Sequence, residues 1–294
     1  MKYRHAYHAG NFADVHKHVT LLALIRALSR KEKGFLFLDT HAGRGRYDLR
    51  AAEARKTGES AGGIGLLETA SENDSAQTIP AEIADYLQSV KTLRKSADSR
   101  HSYPGSPLLA LHAVRPQDRV VLIETQAEEH RALREAANSS TKAAIIECAD
   151  GYARLGAWLP PIERRALLLI DPPFEDSSSD FRYIDVAVGE ALRRLPSAVI
   201  AVWYPIKYER DTRLWRERLS AKLPQPADSD RVPILCSELW IHPRDSRVGL
   251  NGSGMLIVNP PWQIADRMRE WLPWLYARLD PQRRGGCSVS GEMS

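Results

Sequence analysis

The sequence Asp171-Pro-Pro-Phe174 combines residue types that can hold a planar amine. It follows the apolar run Leu167-Leu-Leu-Ile170, which is typical of a strand buried on both faces. Because proline has no N–H to continue the hydrogen-bond ladder, we expect the strand to end at Asp171. The Asp171 carboxylate and the Pro172 carbonyl can then accept two N–H bonds from an amine, while the Phe174 ring lies against the attached base. An ordinary turn is the alternative interpretation of the same four residues.

Polar residues follow other apolar runs in the same way. Glu124 comes directly after the run 120–123, and Asp150-Gly151 come shortly after the run 143–146. An acid placed like Glu124 often accepts both ribose hydroxyls of a nucleotide in doubly wound folds. Asp150 and Gly151 are placed to bind the exocyclic amine of an adenine. The alternatives are a surface acid at Glu124 and a simple Asp-Gly turn at 150–151.

The segment from Asp39 to Gly45 supplies a glycine-rich turn directly after a further apolar run, Phe35-Leu-Phe-Leu38. Glycines at positions 43 and 45 lack side chains, so a ligand can approach the backbone closely. An acid followed by glycines four and six residues later is closer to the loop of methyltransferases than to the G-x-G-x-x-G pattern of NAD enzymes. The loop alone is a weak signal.

The apolar runs alternate with helical segments along most of the chain, which predicts a doubly wound α/β fold with a mostly parallel sheet. Ligand sites in such folds gather at the carboxyl ends of the strands. An amphipathic helix is predicted over Val15 to Leu28, with Asp14 as its N-cap. Two late runs predict an antiparallel pair that closes one edge of a seven-stranded sheet. The predicted strands are Phe35–Leu38, Val120–Ile123, Ala143–Ile146, Leu167–Ile170, Ala198–Trp203, Ile234–Ile241 and Met255–Val258.

About 80 residues separate the first two predicted strands, which is long for a nucleotide-binding unit. We therefore assign residues 1–46 and 111–294 to the core and residues 47–110 to an inserted helical subdomain. Within the core, residues 1–30 form an N-terminal segment that contacts cofactor and substrate. The insertion includes a helical pattern from about Ile83 to Leu93 and a basic stretch over residues 91–101. That stretch suits RNA phosphates, and a solvated helix face is the alternative.

Composition narrows the class of protein. With 294 residues, of which 43% are apolar and 27% charged, the chain can bury a full core as one large domain with an insertion. The three cysteines show no C-x-x-C spacing, so we expect a reducing compartment without zinc or disulfides. The sequence has neither a signal-peptide pattern nor a membrane-length apolar run, which predicts a cytoplasmic protein that does not contact membranes. A net charge of +4 permits a polyanionic partner without requiring one.

Taken together, the motifs resemble those of the bacterial large-subunit ribosomal RNA adenine-N6 methyltransferase J family. The resemblance extends over essentially the whole chain. It rests on Tyr3-Arg-His-Ala-Tyr-His-Ala-Gly-Asn11-x-Ala-Asp14-Val-x-Lys17-His18, Leu38-Asp-Thr-His41-Ala-Gly-x-Gly-Arg-Tyr47, Tyr103-Pro-Gly-Ser106-Pro107, Ile170-Asp-Pro-Pro173, Trp203-Tyr-Pro205 and Asn259-Pro-Pro-Trp262.

The resemblance implies a Rossmann-like class I methyltransferase that uses S-adenosylmethionine. It implies that the methyl group goes directly to N6 of one adenine of 23S ribosomal RNA, adenine 2030, with Asp171 as acceptor and base. The RNA is expected to be protein-free or an early assembly intermediate, and the enzyme a monomer. The implied cofactor contacts are His18, His41, Ser106, Glu124, Asp150 and Gly151. The resemblance adds Tyr3 and Lys17 to the substrate contacts Pro172 and Phe174 that the residue types of the tetrapeptide predict. Many relatives have tyrosine at the position of Phe174, and an aromatic ring is kept in both cases.

Several of these positions have other interpretations. Ser106 followed by Pro107 is also a good helix N-cap, and a helix N-terminus favours an anionic group. The i, i+2 spacing of His16 and His18 points them apart on a helix, so we predict no metal. The second motif, Asn259-Pro-Pro-Trp262, follows the expected antiparallel strand and is predicted to be structural. Methylation of DNA adenine or of a protein glutamine, an NAD-dependent oxidoreductase and an RNA-binding module are the alternative functions.

Overall fold

The computed structural model describes residues 5–73, 79–95, 99–223 and 232–292. Tyr3, a predicted substrate contact, lies outside the described residues. The strands are β1 (Leu36–Asp39), β2 (Arg46–Asp48), β3 (Ser102–Pro104), β4 (Arg119–Glu124), β5 (Ile145–Cys148), β6 (Ala166–Ile170), β7 (Val199–Ile206), β8 (Ile234–Trp240), β9 (Gly252–Val258) and β10 (Gly286–Glu292). The α-helices are α1 (Phe12–Ser29), α2 (Ala52–Thr57), α3 (Ile64–Asn73), α4 (Ala81–Leu93), α5 (Ser106–Ala113), α6 (Ala127–Ala137), α7 (Gly151–Trp158), α8 (Ser177–Arg194), α9 (Glu209–Lys222) and α10 (Ile264–Leu279).

The main sheet is doubly wound, as predicted. Its strand order is β10-β8-β9-β7-β6-β1-β4-β5, and the five strands from β7 to β5 run parallel. The predicted antiparallel pair, β8 and β9, is confirmed, and β9 also pairs antiparallel with β7. The sheet has eight strands rather than seven, because β10 adds to the free edge of β8. Its sequence, Gly286-Cys-Ser-Val-Ser-Gly-Glu292, has no apolar run that would identify it as a strand.

Strand order reverses at β1, which lies between β6 and β4. Crevices at such a reversal are where open α/β sheets bind ligands. The carboxyl ends of these three strands carry acids: Asp39 ends β1, Glu124 ends β4 and Asp171 follows β6. The sheet therefore brings together acids that are far apart in the sequence.

Helix α1 is buried along most of its length, and apolar residues lie on all of its faces. A helix that is apolar all round belongs inside a protein rather than on its surface. The helix begins earlier than predicted, and its N-cap is Asn11, whose side chain accepts a 2.9 Å hydrogen bond from the backbone N–H of Asp14. The prediction of Asp14 as the N-cap is wrong because that residue lies in the first turn, where its carboxylate is free for other contacts.

The insertion is not a separate helical body. Its buried residues Ile64, Ile83 and Tyr86 belong to the same apolar core as α1 and the sheet. It also contains a two-stranded antiparallel sheet, formed by β2 and β3. The proposed boundary at residue 110 falls inside α5, which packs against α1 and β1, so the core resumes before this helix.

One arginine of the basic stretch serves the fold of the insertion. Arg94 donates to the Ser102 carbonyl oxygen and pairs with Glu68, each at 2.5 Å. Because its guanidinium group is already paired with a carboxylate, Arg94 is not part of a free basic surface that could bind a phosphate. Among the helices in the described ranges, none is both long enough and apolar enough to cross a membrane.

Candidate functional site

A cleft of about 760 Å³ opens at the carboxyl ends of β1, β4 and β6. This volume is in the range of small-molecule and cofactor sites. The N-terminal end of α1, the loop after β1 and the loop between β8 and β9 form its other walls. Eight of the predicted site residues line it: Lys17, His18, His41, Ser106, Glu124, Asp171, Pro172 and Phe174.

Lys17 connects α1 to the Asp171 motif. Its Nζ lies 2.6 Å from Oδ2 of Asp171 and 2.9 Å from Oδ1 of Asp14, and the side chain is almost completely buried. Burial would lower the pKa of Lys17, but the charges of Asp14 and Asp171 outweigh it and raise that pKa above its usual value. Lys17 also lies 5.7 Å from the centre of the Trp203 ring. One oxygen of Asp171 is therefore held by an ammonium group, and its other oxygen is left to accept a further bond.

Asp14 is a site residue that sequence reasoning missed. Its Oδ2 lies 2.9 Å from Nε2 of His5 and accepts the backbone N–H of Gly10 at the same distance. Burial opposes ionisation of this carboxyl, yet the charges of His5 and Lys17 hold its pKa well below the usual range. The signal for it was the i, i+3 spacing from Lys17, which places both side chains on one helix face.

Asp39 and Ser106 form a buried pair between β1 and α5. The Ser106 hydroxyl donates a 2.7 Å hydrogen bond to Oδ2 of Asp39, and the backbone N–H of His41 donates to Oδ1. Burial raises the pKa of Asp39 to about 7, although the Ser106 bond lowers it. The prediction of Ser106 as an N-cap is wrong: Gly105 is the N-cap, and Ser106 is the first residue of α5. Its hydroxyl holds the Asp39 carboxyl group and does not cap the helix.

Glu124 is held at the end of β4 by two backbone donors. Its Oε2 accepts from the N–H of Gly43 at 2.8 Å, and its Oε1 accepts from the N–H of Gln126 at 2.7 Å. Burial raises the pKa of this carboxyl against the lowering effect of those two bonds. Each oxygen keeps a second acceptor position, so the fixed carboxylate can still accept a pair of hydroxyl groups.

The glycines of the β1 loop allow this arrangement. Gly43 and Gly45 have φ angles of 63° and 75°, which residues with side chains rarely adopt. A Cβ atom on Gly43 would lie 2.5 Å from the Tyr47 hydroxyl. The loop can therefore turn tightly under Glu124 only with glycine at these positions.

Asp150 and Gly151 lie outside the set of residues that line the cleft. Asp150 is the N-cap of α7, and its Oδ1 accepts from the backbone N–H groups of Tyr152 and Ala153. Gly151 packs against β1, since a Cβ atom there would lie 2.0 Å from the carbonyl oxygen of Thr40. These two residues therefore have structural roles, and the cofactor contact predicted for them stays a prediction.

Two histidines of the cleft, His18 and His41, have pKa values well below the ordinary value for histidine. Burial lowers the pKa of His18 to about 3 and that of His41 to about 4. His18 Nδ1 lies 2.8 Å from the Tyr103 hydroxyl, and His41 Nδ1 lies 2.8 Å from the Thr40 hydroxyl. Both side chains can therefore offer hydrogen bonds to a ligand without adding charge. His16 points elsewhere, to Ser237 and Ser253, at 2.9 and 3.0 Å.

Phe174 forms a wall of the cleft, although little of it is accessible. The ring is 4% exposed and makes edge contacts with Phe181 and Trp203, with centroids 5.3 and 5.6 Å apart. Its backbone has a φ of 50°, which turns the chain directly after the two prolines. Phe174 is therefore both a core residue and a candidate surface for a base.

Comparison with known proteins decides the family of this chain. Residues 32–291 match the family described as "Ribosomal RNA large subunit methyltransferase D, RlmJ". The chain belongs to this family. It is 37% identical to ribosomal RNA large subunit methyltransferase J of Escherichia coli (strain K12) over 290 residues, which cover 99% of this chain and 98% of that protein.

Further similarities agree with that match. The methyltransferase J of Haemophilus influenzae is 37% identical over 289 residues, covering 98% of each chain. The crystal structure of protein LPL1258 from Legionella pneumophila superposes with a TM-score of 0.84 at 29% identity, covering 96% of this chain and 98% of that one. The resemblance that the motifs indicated is thus confirmed, and the chain is a methyltransferase.

The methyl donor of this RlmJ-family enzyme is S-adenosylmethionine. The residues at the β1 and β4 ends fit such a group. Glu124 offers two acceptor positions for ribose hydroxyls, the glycine loop allows a close backbone approach, and the neutral His18 and His41 line the same cleft.

Proposed function

We propose that this enzyme methylates N6 of a specific adenine in 23S ribosomal RNA, and that Asp171 accepts the target amine. The observation that carries the proposal is the position of Asp171-Pro-Pro-Phe174 at the reversal of strand order, in one cleft with Glu124. The relatives named above are ribosomal RNA large subunit methyltransferases, which supports the RNA substrate. Adenine 2030 is the target that the motif resemblance implies.

S-adenosylmethionine, when bound, supplies an electrophilic methyl group. The exocyclic nitrogen of adenine is a poor nucleophile because its lone pair is conjugated with the ring, and positive charge grows on it during transfer. In our proposal the Asp171 carboxylate and the Pro172 carbonyl accept its N–H bonds and stabilise that charge, and Asp171 takes up the proton. A preorganised acceptor of this kind contributes on the order of 3 kcal/mol to lowering the barrier.

Lys17 acts in this proposal as the residue that positions Asp171. Its 2.6 Å bond to Oδ2 fixes the carboxylate, so that Oδ1 is the oxygen that meets the amine. Asp14 holds the other side of the same ammonium group at 2.9 Å. Because a buried ion pair that loses one partner leaves an uncompensated charge, Lys17 also stabilises the folded site. This assigns Lys17 to the carboxylate rather than to direct contact with RNA.

The geometry of the cleft favours an unpaired adenine. Asp171 is only 14% exposed in its side chain, and Phe174 lies deeper still. A base stacked inside a duplex cannot bring its exocyclic amine to such a position, so the target must be single-stranded or flipped out. We expect protein-free ribosomal RNA or an early assembly intermediate to be a better substrate than the folded subunit.

Mapping N6-methyladenine in ribosomal RNA from cells that lack the protein tests the proposal. We expect one modified adenine to disappear from 23S ribosomal RNA and to return when the wild-type gene is supplied. Supply of the Asp171→Ala variant should not restore it. An unchanged modification map would overturn the RNA substrate, and ribonuclease-resistant activity of the purified enzyme on duplex DNA would point to DNA adenine instead.

A further inference from the structure

The loop between β8 and β9, residues 241–251, lies beside the candidate acceptor motif. In the sheet, Trp240 and Gly252 pair with one another, and Gly252 pairs with Ile206 at the carboxyl end of β7. The loop therefore leaves the sheet at the same edge as Asp171. Five of its residues line the cleft: Ile241, His242, Val248, Gly249 and Leu250.

The base of this loop is built around one buried amide. Asn251 is fully buried, and its Nδ2 lies 2.7 to 3.0 Å from the carbonyl oxygens of Lys207, Arg244 and Ser246. Its own backbone N–H donates to Ile206 at 2.9 Å. Lys207 in turn reaches the Phe174 carbonyl oxygen at 3.4 Å. The loop is thus fixed to the chain segment that carries the acceptor motif.

The tip of the loop, residues 247–249, is exposed. Val248 is 59% exposed although its surface is apolar. Arg247 is exposed and makes no hydrogen bond or ion pair with the described residues. Gly249 has a φ of 96°, which turns the chain so that the tip projects. A rigid base that presents a free cation and an apolar side chain is typical of a binding surface.

The charge of the cleft shows what this tip can contribute. Most of the ionised side chains in the lining are carboxylates, and Lys17, the cation nearest the acceptor motif, is already neutralised by two of them. An RNA strand carries one negative charge for each nucleotide and needs cations where it enters. Arg247 stands next to the lining residue Val248 and supplies such a cation at the rim. The carboxylates of the lining are Asp14, Glu59, Glu124, Glu129, Asp171 and Glu175.

We propose that the loop tip 247–249 is an RNA contact that holds the strand beside the target adenosine. Arg247 binds a backbone phosphate next to the flipped nucleotide, and Val248 packs against the adjoining ribose. The proposal rests on the RNA substrate proposed above and extends it, because it assigns a contact outside the reaction centre. Since a phosphate contact positions the strand without taking part in methyl transfer, it should affect RNA binding and not the chemical step.

Steady-state methylation of protein-free 23S ribosomal RNA, taken from cells that lack the enzyme, tests this contact. Arg247→Glu is compared with Arg164→Glu, which changes an exposed arginine before β6, at the opposite edge of the sheet. We expect Arg247→Glu to raise KM for RNA roughly tenfold and to lower the salt dependence of RNA binding by about one charge. Turnover at saturating RNA, S-adenosylhomocysteine affinity and Tm should stay within about twofold or a few degrees of wild type.

Two further variants test the charge at position 247 and the apolar side chain at position 248 separately. Arg247→Lys keeps the cation and should recover most of the affinity, whereas Val248→Asp should raise KM in the same direction as Arg247→Glu. Equal KM values for Arg247→Glu and Arg164→Glu, with active wild-type enzyme, would overturn the loop contact alone. Failure of the wild-type enzyme to methylate this RNA would instead overturn the proposed substrate, so the two failures are distinguishable in one assay.

Discussion

Two segments of this chain have the same residue pattern and opposite surroundings. Asp171-Pro-Pro-Phe174 follows the parallel strand β6, whereas Asn259-Pro-Pro-Trp262 follows the antiparallel strand β9. Val258, the last residue of β9, pairs with Ile200 near the start of β7, so the second motif lies at the amino edge of the parallel strands. The predicted position of this second motif, away from the carboxyl edge that carries Asp171, is confirmed, and its structural role stays a prediction.

The polar side chains of the two motifs also have different partners. Asp171 binds the buried ammonium group of Lys17, while the Asn259 side chain donates to the carbonyl oxygens of Pro196 and Ala198, both at 2.8 Å. The aromatic residue of the first motif is 4% exposed and that of the second 77% exposed. The direction of the preceding strand, rather than the tetrapeptide itself, therefore decides which motif faces a ligand.

The largest expected difference between variants of the two motifs is in turnover. Asp171→Ala should lower kcat by roughly 100- to 1000-fold, because it removes the acceptor of the developing charge. Cofactor affinity should stay within a few-fold, since the carboxylate acts on the substrate amine. Initial rates and calorimetry with S-adenosylhomocysteine measure the two quantities. Asn259→Ala is the matched control, and turnover of Asp171→Ala within tenfold of wild type would contradict the assigned role.

Glu124 extends the same comparison to the cofactor side of the cleft. Glu124→Ala should weaken S-adenosylmethionine binding by about 2–3 kcal/mol, the scale of charge-assisted hydrogen bonds. Calorimetry measures this change, and RNA binding in a filter assay is the control that should not change. Glu124→Gln keeps the shape and one acceptor oxygen, so its loss should be smaller. Wild-type cofactor affinity in Glu124→Ala would remove this residue from the site.

Variants of Phe174 test whether its ring serves base stacking, packing of the core, or both. Phe174→Ala should lower the RNA-dependent rate roughly ten- to a hundredfold through lost base stacking. Because the ring is buried against Phe181 and Trp203, it should also lower the free energy of unfolding by about 3–5 kcal/mol. Phe174→Leu keeps most of the volume without an aromatic face. If Phe174→Leu restores both stability and rate, the ring serves packing alone.

The smallest expected effect on activity belongs to Asn259. Asn259→Ala leaves two carbonyl groups without their donor, and it places alanine at a φ of 52°. The free energy of unfolding should fall by about 1–3 kcal/mol, with the rate per folded molecule unchanged. Glycine tolerates this φ, so Asn259→Gly should lose less stability than Asn259→Ala. Chemical denaturation and initial rates on the same samples measure both, and a lost rate at wild-type stability would reverse the comparison.

The sequence predicted those features of the fold that depend on local patterns. The strands that bear Asp39, Glu124 and Asp171 were identifiable because buried parallel strands are continuous apolar runs that end at polar residues. Strand β10 was missed because an edge strand that is only partly buried needs no such run. The role of Asp14 was assigned wrongly because a local capping rule competed with a contact that only the folded chain provides.

Contacts between distant residues could not be predicted from local patterns. Lys17 and Asp171 are 154 residues apart, and nothing in either segment specifies the other as its partner. The motif resemblance identified both residues without relating them. Similarly, the pattern at Asp150-Gly151 suited both a cofactor contact and a simple Asp-Gly turn. The structure adds that Asp150 caps α7 and that Gly151 lies close to Thr40, which local patterns did not show, and the cofactor contact stays a prediction.

The burial of α1 has a consequence for how the chain folds during synthesis. His16, near the start of the chain, bonds to Ser237 and Ser253, which are 221 and 237 residues later. The helix is synthesised before the strands that cover it, which follow more than 200 residues later. The apolar faces of α1 therefore stay exposed, or bound by a chaperone, until β8 and β9 have been translated. We expect active enzyme to appear only after β8 and β9 have left the ribosome, and nascent chains truncated before β8 to be prone to aggregation.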